Sequence, residues 1–506
     1  MKIAVRSTSF VLSSRQMNLL RLPIEIIVDI LLCLDVSDAY AVQALNHFFH
    51  NLYKTSLILQ YALECKIAHV RDNPNCHLPI PERLQILRER ESAWSSLTPT
   101  SKRITALPAG PGKCISNTRR LKIQPNHCTL FEYSKVSQLA FRKYFQISSI
   151  REIKEDSFHP IPLEIGNLMH VGFCVDEHDL IACLTKNILP DSQIELRIVL
   201  LQYSTGNAHP LAMEPNILLF RNDVSNNCYN FMANNIEIFG ENLVLTIRLL
   251  KAGVEVECMY VYNWKTGQAK CEPIPVSNCD IVVLDQNLVI VPDPKEWSLY
   301  IFYIPSSSSG GPVKLIQQLD LPPCHVGRSS FISCRSLPNP TEDGRFPKYI
   351  SSSIPFMDKP DTALICITLP ATASLLVHRD SIMRLLPPSE EWSAVTKPLI
   401  LDWDSWGPPV TAIQRRVTST YGQRSLYASE FGLRSCDFNK HHVRRSTEVK
   451  LPDLYEPFND VNLITTRLPC VEIVSPSKEF SGTYLADGAA VGLKHHNTIE
   501  VSYFGQ

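Results

Sequence analysis

Read by its alternation of apolar and polar positions, the sequence divides into three regions. Between residues 22 and about 97 the apolar positions recur at helical intervals. The stretch 24–34, IEIIVDILLCL, predicts a short helix that is apolar around almost its whole circumference. Only Glu25 and Asp29, one turn apart, mark a wettable stripe. Pro23 stands where a helix can begin, because the first turn has no use for the N–H that proline lacks. The turn DVSD offers Ser37 or Asp38 as the cap of a second helix running to about Tyr53. A third helix carries Leu57, Tyr61, Cys65 and Ala68 on one face. After the break at PNCHLPIP, a fourth carries Leu84, Leu87, Glu91 and Trp94.

The second region, 98–120, is rich in Thr, Pro, Gly and basic residues and reads as a linker. In the third, 121–506, the period changes to that of strands. DLIACL, ENLVLTIRL and QNLVIV each place an apolar run after a short polar lead. Each is followed by a second strand, and that strand twice ends in Thr-Gly, at Thr205-Gly206 and Thr266-Gly267. Leu180, Leu243 and Leu288 mark the repeat at intervals of about 45 to 60 residues, the range of propeller blades. Short strands over so long a region leave reactive edges unless the sheets close, and radial repetition closes them. The predicted architecture is therefore α+β and multidomain: a small helical module, then a mostly β domain best described as a propeller of six or seven blades. Nineteen glycines are few for so many turns, although 36 prolines can take some turn positions; a β-rich domain of another shape is the alternative.

Composition narrows the function. A charged fraction of 20% and a net charge of −1, with no long run of one sign, give nucleic acid or an anionic membrane no electrostatic foothold. No stretch approaches the roughly 18 apolar residues of a membrane span, and the first residues are too polar for a signal-peptide core. Sixteen cysteines are scattered without a C-x-x-C pair, which predicts reduced thiols and a cytoplasmic or nuclear setting.

The first helix has more apolar surface than a small module can bury. Leaving such side chains in water forgoes about 1.5–3 kcal/mol each, and a patch of that size marks a partner surface. The segment LPIEIIVDILLCLDVSDAYAVQALNHFFHNL also resembles an F-box, matching at Leu22-Pro23, Glu25, Ile26-Ile27, Ile30-Leu31, Leu34-Asp35, Ala41, Leu45 and Phe49, and running into Tyr53. It departs at NHFF, where the family often has Cys-Arg-Arg-Trp. The following helices and phrases such as FCVDEHDLIACL and YNWKTGQ resemble fungal, especially mushroom-type, F-box proteins. The resemblance implies an F-box at 18–55, a helical extension at 56–97 and a partner-binding β domain at 121–506. It implies a substrate receptor that binds a Skp-type adaptor of an SCF (cullin-RING) ubiquitin ligase and presents an unidentified target. The residues it assigns to the adaptor are Leu22, Pro23, Ile26, Ile27, Ile30, Leu31, Leu34, Ala41 and Leu45. An F-box protein acting outside the ligase fits the same residues.

Enzymatic chemistry finds little support. No G-x-S-x-G, P-loop or H-E-x-x-H motif occurs. Asp402 and Asp404, beside Trp403 and Trp406, would share a face if they lay on a strand, as a glycosidase or metal site needs. His441-His442 and His495-His496 lie among polar residues and read as solvated. No catalytic residue, cofactor or metal is predicted. A propeller hydrolase or lyase with a helical cap is the competing reading.

Overall fold

The computed structural model describes residues 19–106, 118–123, 127–133, 141–146, 159–160 and 167–505. The last stretch has short breaks, of which 224–229, 324–331 and 451–465 are the longest. The N-terminal region forms α1 (Ile24–Cys33), α2 (Val36–Leu45), α3 (His47–Thr55), α4 (Leu57–Ile67), β1 (Val70–Asp72) and α5 (Ile80–Ser96). Side-chain caps mark the starts of α2 and α3. Asp35 accepts the Asp38 N–H at 2.8 Å and caps α2, ahead of the expected Ser37 or Asp38. The helix predicted to run on to Tyr53 is two helices. Asn46 takes an extended backbone between them, and its side chain accepts the Phe49 N–H at 3.0 Å to start α3.

The remainder is mostly β. Among the described residues, seven sheets of four or five strands follow one another along the chain. They span 118–160, 167–223, 230–276, 282–320, 333–415, 417–474 and 481–503. Nearly all pairings are antiparallel between strands consecutive within their sheet; Leu399–Leu401 joins the fourth sheet in parallel. The first strands of neighbouring sheets lie side by side: second against third, third against fourth, fourth against fifth, fifth against sixth, sixth against seventh, and seventh against first. Leu180, Leu243 and Leu288 stand at or next to the start of the second strands of the second, third and fourth sheets, and all three are fully buried. They pack between sheets, Leu180 and Leu243 in one core with Trp264, and Leu288 in another with Ile365 and Trp406. The next strands end at Gln202 and Asn263, four residues before Gly206 and Gly267, which close the following turns with φ of 73° and 75°, the left-handed backbone that glycine adopts without a Cβ clash.

The stretch expected to be a linker is in part a strand. β2 (Ser101–Ala106) pairs with Thr498–Tyr503, from Ser101↔Tyr503 to Ala106↔Thr498, and supplies the fourth strand of the seventh sheet. The first strand of the first sheet, Thr118–Ile123, also begins inside 98–120. β2 sits at a sheet edge, where a polar and basic composition is tolerated, so its sequence carries no apolar alternation to betray it.

Nor does a hinge separate the helical extension from the β domain. β1 pairs antiparallel with Phe356–Asp358. Buried Asn73 donates its side-chain N–H groups to the carbonyls of Ile354 at 2.7 Å and Ser351 at 3.2 Å. On α5, Trp94 stacks on Phe504 at 3.7 Å and shares a core with Leu426 and Leu485. Gly505 makes that approach possible: with φ +71°, a Cβ there would lie 2.1 Å from the Arg90 Cα. Among the described residues no helix is long and apolar enough to cross a membrane, and the described cysteines are free thiols.

Candidate functional site

α1 carries two apolar arcs. Ile27 and Leu31, one turn apart, point inward at 1% and 3% exposure against Ala39, Phe49, Leu52, Tyr53 and Leu59. Leu22, Val28, Leu32 and Leu34 lean half-buried on that core. Ile26 and Ile30, also one turn apart, point away and remain 45% and 38% exposed. Exposed Cys33 continues their line at helical spacing. Glu25 and Asp29 are exposed beside that line, as the sequence pattern requires. The module thus fills one arc with its own core and leaves the other to solvent.

The neighbouring helices also expose apolar side chains. α2 exposes Ala41 and Leu45, the latter at 71%; α3 exposes Phe48, whose ring stands edge-on to buried Phe49 at 5.4 Å. α4 begins with exposed Leu57 and Ile58. Of the nine residues assigned to an adaptor, Pro23, Ile26, Ile30, Ala41 and Leu45 are exposed, and Leu22 and Leu34 are half-buried. Ile27 and Leu31 are not surface residues: the module needs both inside, because no other side chain of α1 reaches its core so fully. Ile24, Phe48, Leu57 and Ile58, also exposed, are not among those nine. The signal was there for two of them, since Phe48-Phe49 and Ile58-Leu59 are adjacent apolar pairs. Neighbours on a helix lie about 100° apart, and a narrow buried face takes only one.

The arc is held in fixed relation to the β domain. Lys66 on α4 donates to the carbonyls of Leu32 and Leu34 at the end of α1. Below it, Asp72 accepts the Tyr61 hydroxyl at 2.6 Å and pairs with Arg83 at 3.0 Å. α5 then enters a buried charge cluster. Arg90 meets Asp358 at 3.0 Å, Glu91 at 3.0 Å and Asp487 at 3.5 Å; Arg424 meets Glu91 and, at 3.7 Å, Asp437. Four carboxylates face two guanidinium groups, so negative charge is in excess. Burial and the adjacent Asp358 push Asp487 up to about 8, which lets it hold a proton and relieve that excess. Burial also opposes charge on Asp437, but Arg424 and His442 outweigh it and hold Asp437 down at about 2. His442, expected in solvent, is half-buried and bonds Asp437 through Nδ1 at 2.8 Å.

The acidic pair near Trp403 does not share a strand face. The segment is a helix, Trp403–Val410, and Asp402 caps it by accepting the Ser405 N–H at 2.8 Å. Trp403 and Trp406 are buried, and the Trp406 indole N–H donates to the Asp320 carbonyl at 2.8 Å. His495-His496 lies outside the described residues.

Neither a family model nor a curated protein matches this sequence. Among solved structures, apo AztD from Citrobacter koseri is 12% identical, with 77% of this chain and 87% of that one covered and a TM-score of 0.34. Sqt1 from Chaetomium thermophilum is 9% identical, with 75% and 93% covered and a TM-score of 0.28. A protein from Lactobacillus plantarum is 14% identical over 43% of this chain, with a TM-score of 0.25; the match spans 58% of that protein's length. At such TM-scores these likenesses carry no argument about function.

Proposed function

We propose that this chain is a substrate receptor of an SCF-type ubiquitin ligase, binding a Skp-type adaptor through α1–α3 and a target protein through its β domain. The observation that carries the reading is the open arc of Ile26 and Ile30 on a module whose inner arc is already packed, with Leu45 of α2 exposed as well. An apolar surface left by a folded core is what a helical partner covers. We read the β domain as a seven-bladed propeller. Its seven successive sheets, their side-by-side first strands and the borrowed β2 strand in the last sheet support that reading. The receptor would do no chemistry: it would raise the target's effective concentration at the ligase and orient it. A rigid join between α5 and the β domain suits that task, because a floppy one would lose the orientation. A cytoplasmic or nuclear location belongs to the same proposal.

Size-exclusion chromatography of the full chain with a purified Skp-type adaptor, and with the adaptor bound to a cullin-RING core, tests the proposal. Co-elution in both mixtures is expected. Separate elution from the adaptor at micromolar concentrations would reject it.

A further inference from the structure

The first strand of the second sheet, Asn167–Cys174, runs straight into the single-turn helix Val175–His178. In this C-V-D-E-H run, Cys174 Sγ, a Glu177 carboxylate oxygen and a His178 ring nitrogen all lie within 4.8 Å of one another. The thiol meets Glu177 Oε2 at 3.6 Å, and His178 Nε2 lies 3.7 Å from Glu177 Oε1. From this convergence we propose a site for a single divalent transition-metal ion of the zinc type, held by Cys174, Glu177 and His178. The inference is independent of the adaptor reading.

Three observations support it. First, the donor set is right: thiolate, imidazole and carboxylate together are the ligands of zinc, and their charge of −2 balances the ion. Second, tetrahedral zinc with bonds of about 2.0–2.3 Å places its ligand atoms roughly 3.3–3.7 Å apart. The thiol and the imidazole each stand at that distance from the Glu177 carboxylate, the thiol from Oε2 and the imidazole from Oε1. Third, His178 Nε2 is buried without a hydrogen-bond partner, on a residue only 8% exposed. Such an atom costs about 1–3 kcal/mol unless something satisfies it.

The turn that presents these groups is held at both ends. The Asp179 N–H donates to the Val175 carbonyl at 2.8 Å, and the Asp179 carboxylate accepts the Ser204 N–H and the Gln202 side-chain N–H, each at 2.9 Å. The Trp264 ring lies 5.2 Å from the His178 ring and limits its swing. Cys174 and Glu177 line a cleft with Arg71, Thr341 and Met357, which gives an ion a way in and leaves the fourth position to water. Glu177 also accepts the Glu342 N–H at 2.7 Å, so the carboxylate is oriented from outside the cluster. Binding releases the Cys174 proton to solvent as the sulfur–metal bond forms.

Cobalt(II) added to the reduced, metal-free full chain reads the site directly. Wild type is expected to show a thiolate-to-cobalt charge-transfer band and intense tetrahedral d–d bands that saturate at one equivalent and vanish when zinc is added. Cys174→Ser should remove the charge-transfer band, and Glu177→Gln should weaken cobalt binding at least about tenfold with d–d bands retained at high metal. Far-ultraviolet circular dichroism of each variant establishes that it is folded. If Cys174→Ser fails that control, the Glu177→Gln titration stands in its place. The proposal is overturned if wild type shows no such bands. It is also overturned if a folded Cys174→Ser chain gives the same spectrum, since the cobalt would then sit on other thiols.

Discussion

At the scale of single residues, Ile26 and Ile27 are neighbours of the same type with opposite roles. Ile27 is part of the module's core, whereas Ile26 faces solvent. Ile27→Asp would bury an unpaired carboxylate, at a cost of several kcal/mol, and is expected to melt α1–α3. Ile26→Asp leaves that core untouched and should keep its helical circular dichroism and urea midpoint close to wild type. Equal losses of helicity in the two variants would contradict the assignment of the two arcs. Asp437 offers a second test at this scale. Its folded pKa is depressed to about 2 from the ordinary 3.8. It therefore stabilises the fold above the unfolded value and loses that contribution as pH falls through about 2. Asp437→Asn should cost about 2 kcal/mol at pH 7, and the difference from wild type should shrink between pH 4 and pH 2. Urea titrations at pH 7, 4 and 2.5 check this; a gap independent of pH would remove the ion pair from the account.

Among the elements, β2 matters beyond its six residues. It couples the end of the helical extension to the seventh sheet through its pairing with Thr498–Tyr503. Replacing 101–106 with a Gly-Ser stretch should speed amide exchange in Thr498–Tyr503 while Asn242–Lys251, in the third sheet, stays protected. Unchanged exchange in Thr498–Tyr503 would mean that β2 contributes no pairing.

The elements also separate what the sequence made legible from what it hid. Buried strands such as Leu180–Ile188 and Leu288–Asp293 were plain, because continuous apolar runs are their signature. β2 and β1 were not: both are short and polar, and both are defined by a partner more than 280 residues away in sequence. The candidate surface was legible in kind, since a helix apolar all round cannot be satisfied by a small module. Its membership was not, because periodicity gives the angle between side chains and leaves open which arc faces the core. Cys174 gave no signal as a ligand because the metal pattern sought among the cysteines is the C-x-x-C pair, and this cluster spaces its donors across a single turn.

For the molecule as a whole, the buried cluster around Arg90 and Arg424 ties the helical extension to the β domain. Arg90→Met would leave Asp358 and Asp487 facing each other without their cation, and a loss of about 3–5 kcal/mol is expected. The extension and β domain should then unfold in two steps in urea, where the wild type keeps them coupled. A single transition at the wild-type midpoint would show that the cluster does not join them.

The central claim is that the arc of Ile26 and Ile30 docks an adaptor, and isothermal titration calorimetry of the full chain with a purified Skp-type adaptor tests it most directly. The account predicts one-to-one binding by wild type, a loss of at least about a hundredfold in affinity for the Ile26→Asp/Ile30→Asp double variant, and unchanged circular dichroism. No binding by wild type, or equal binding by a folded double variant, would contradict it.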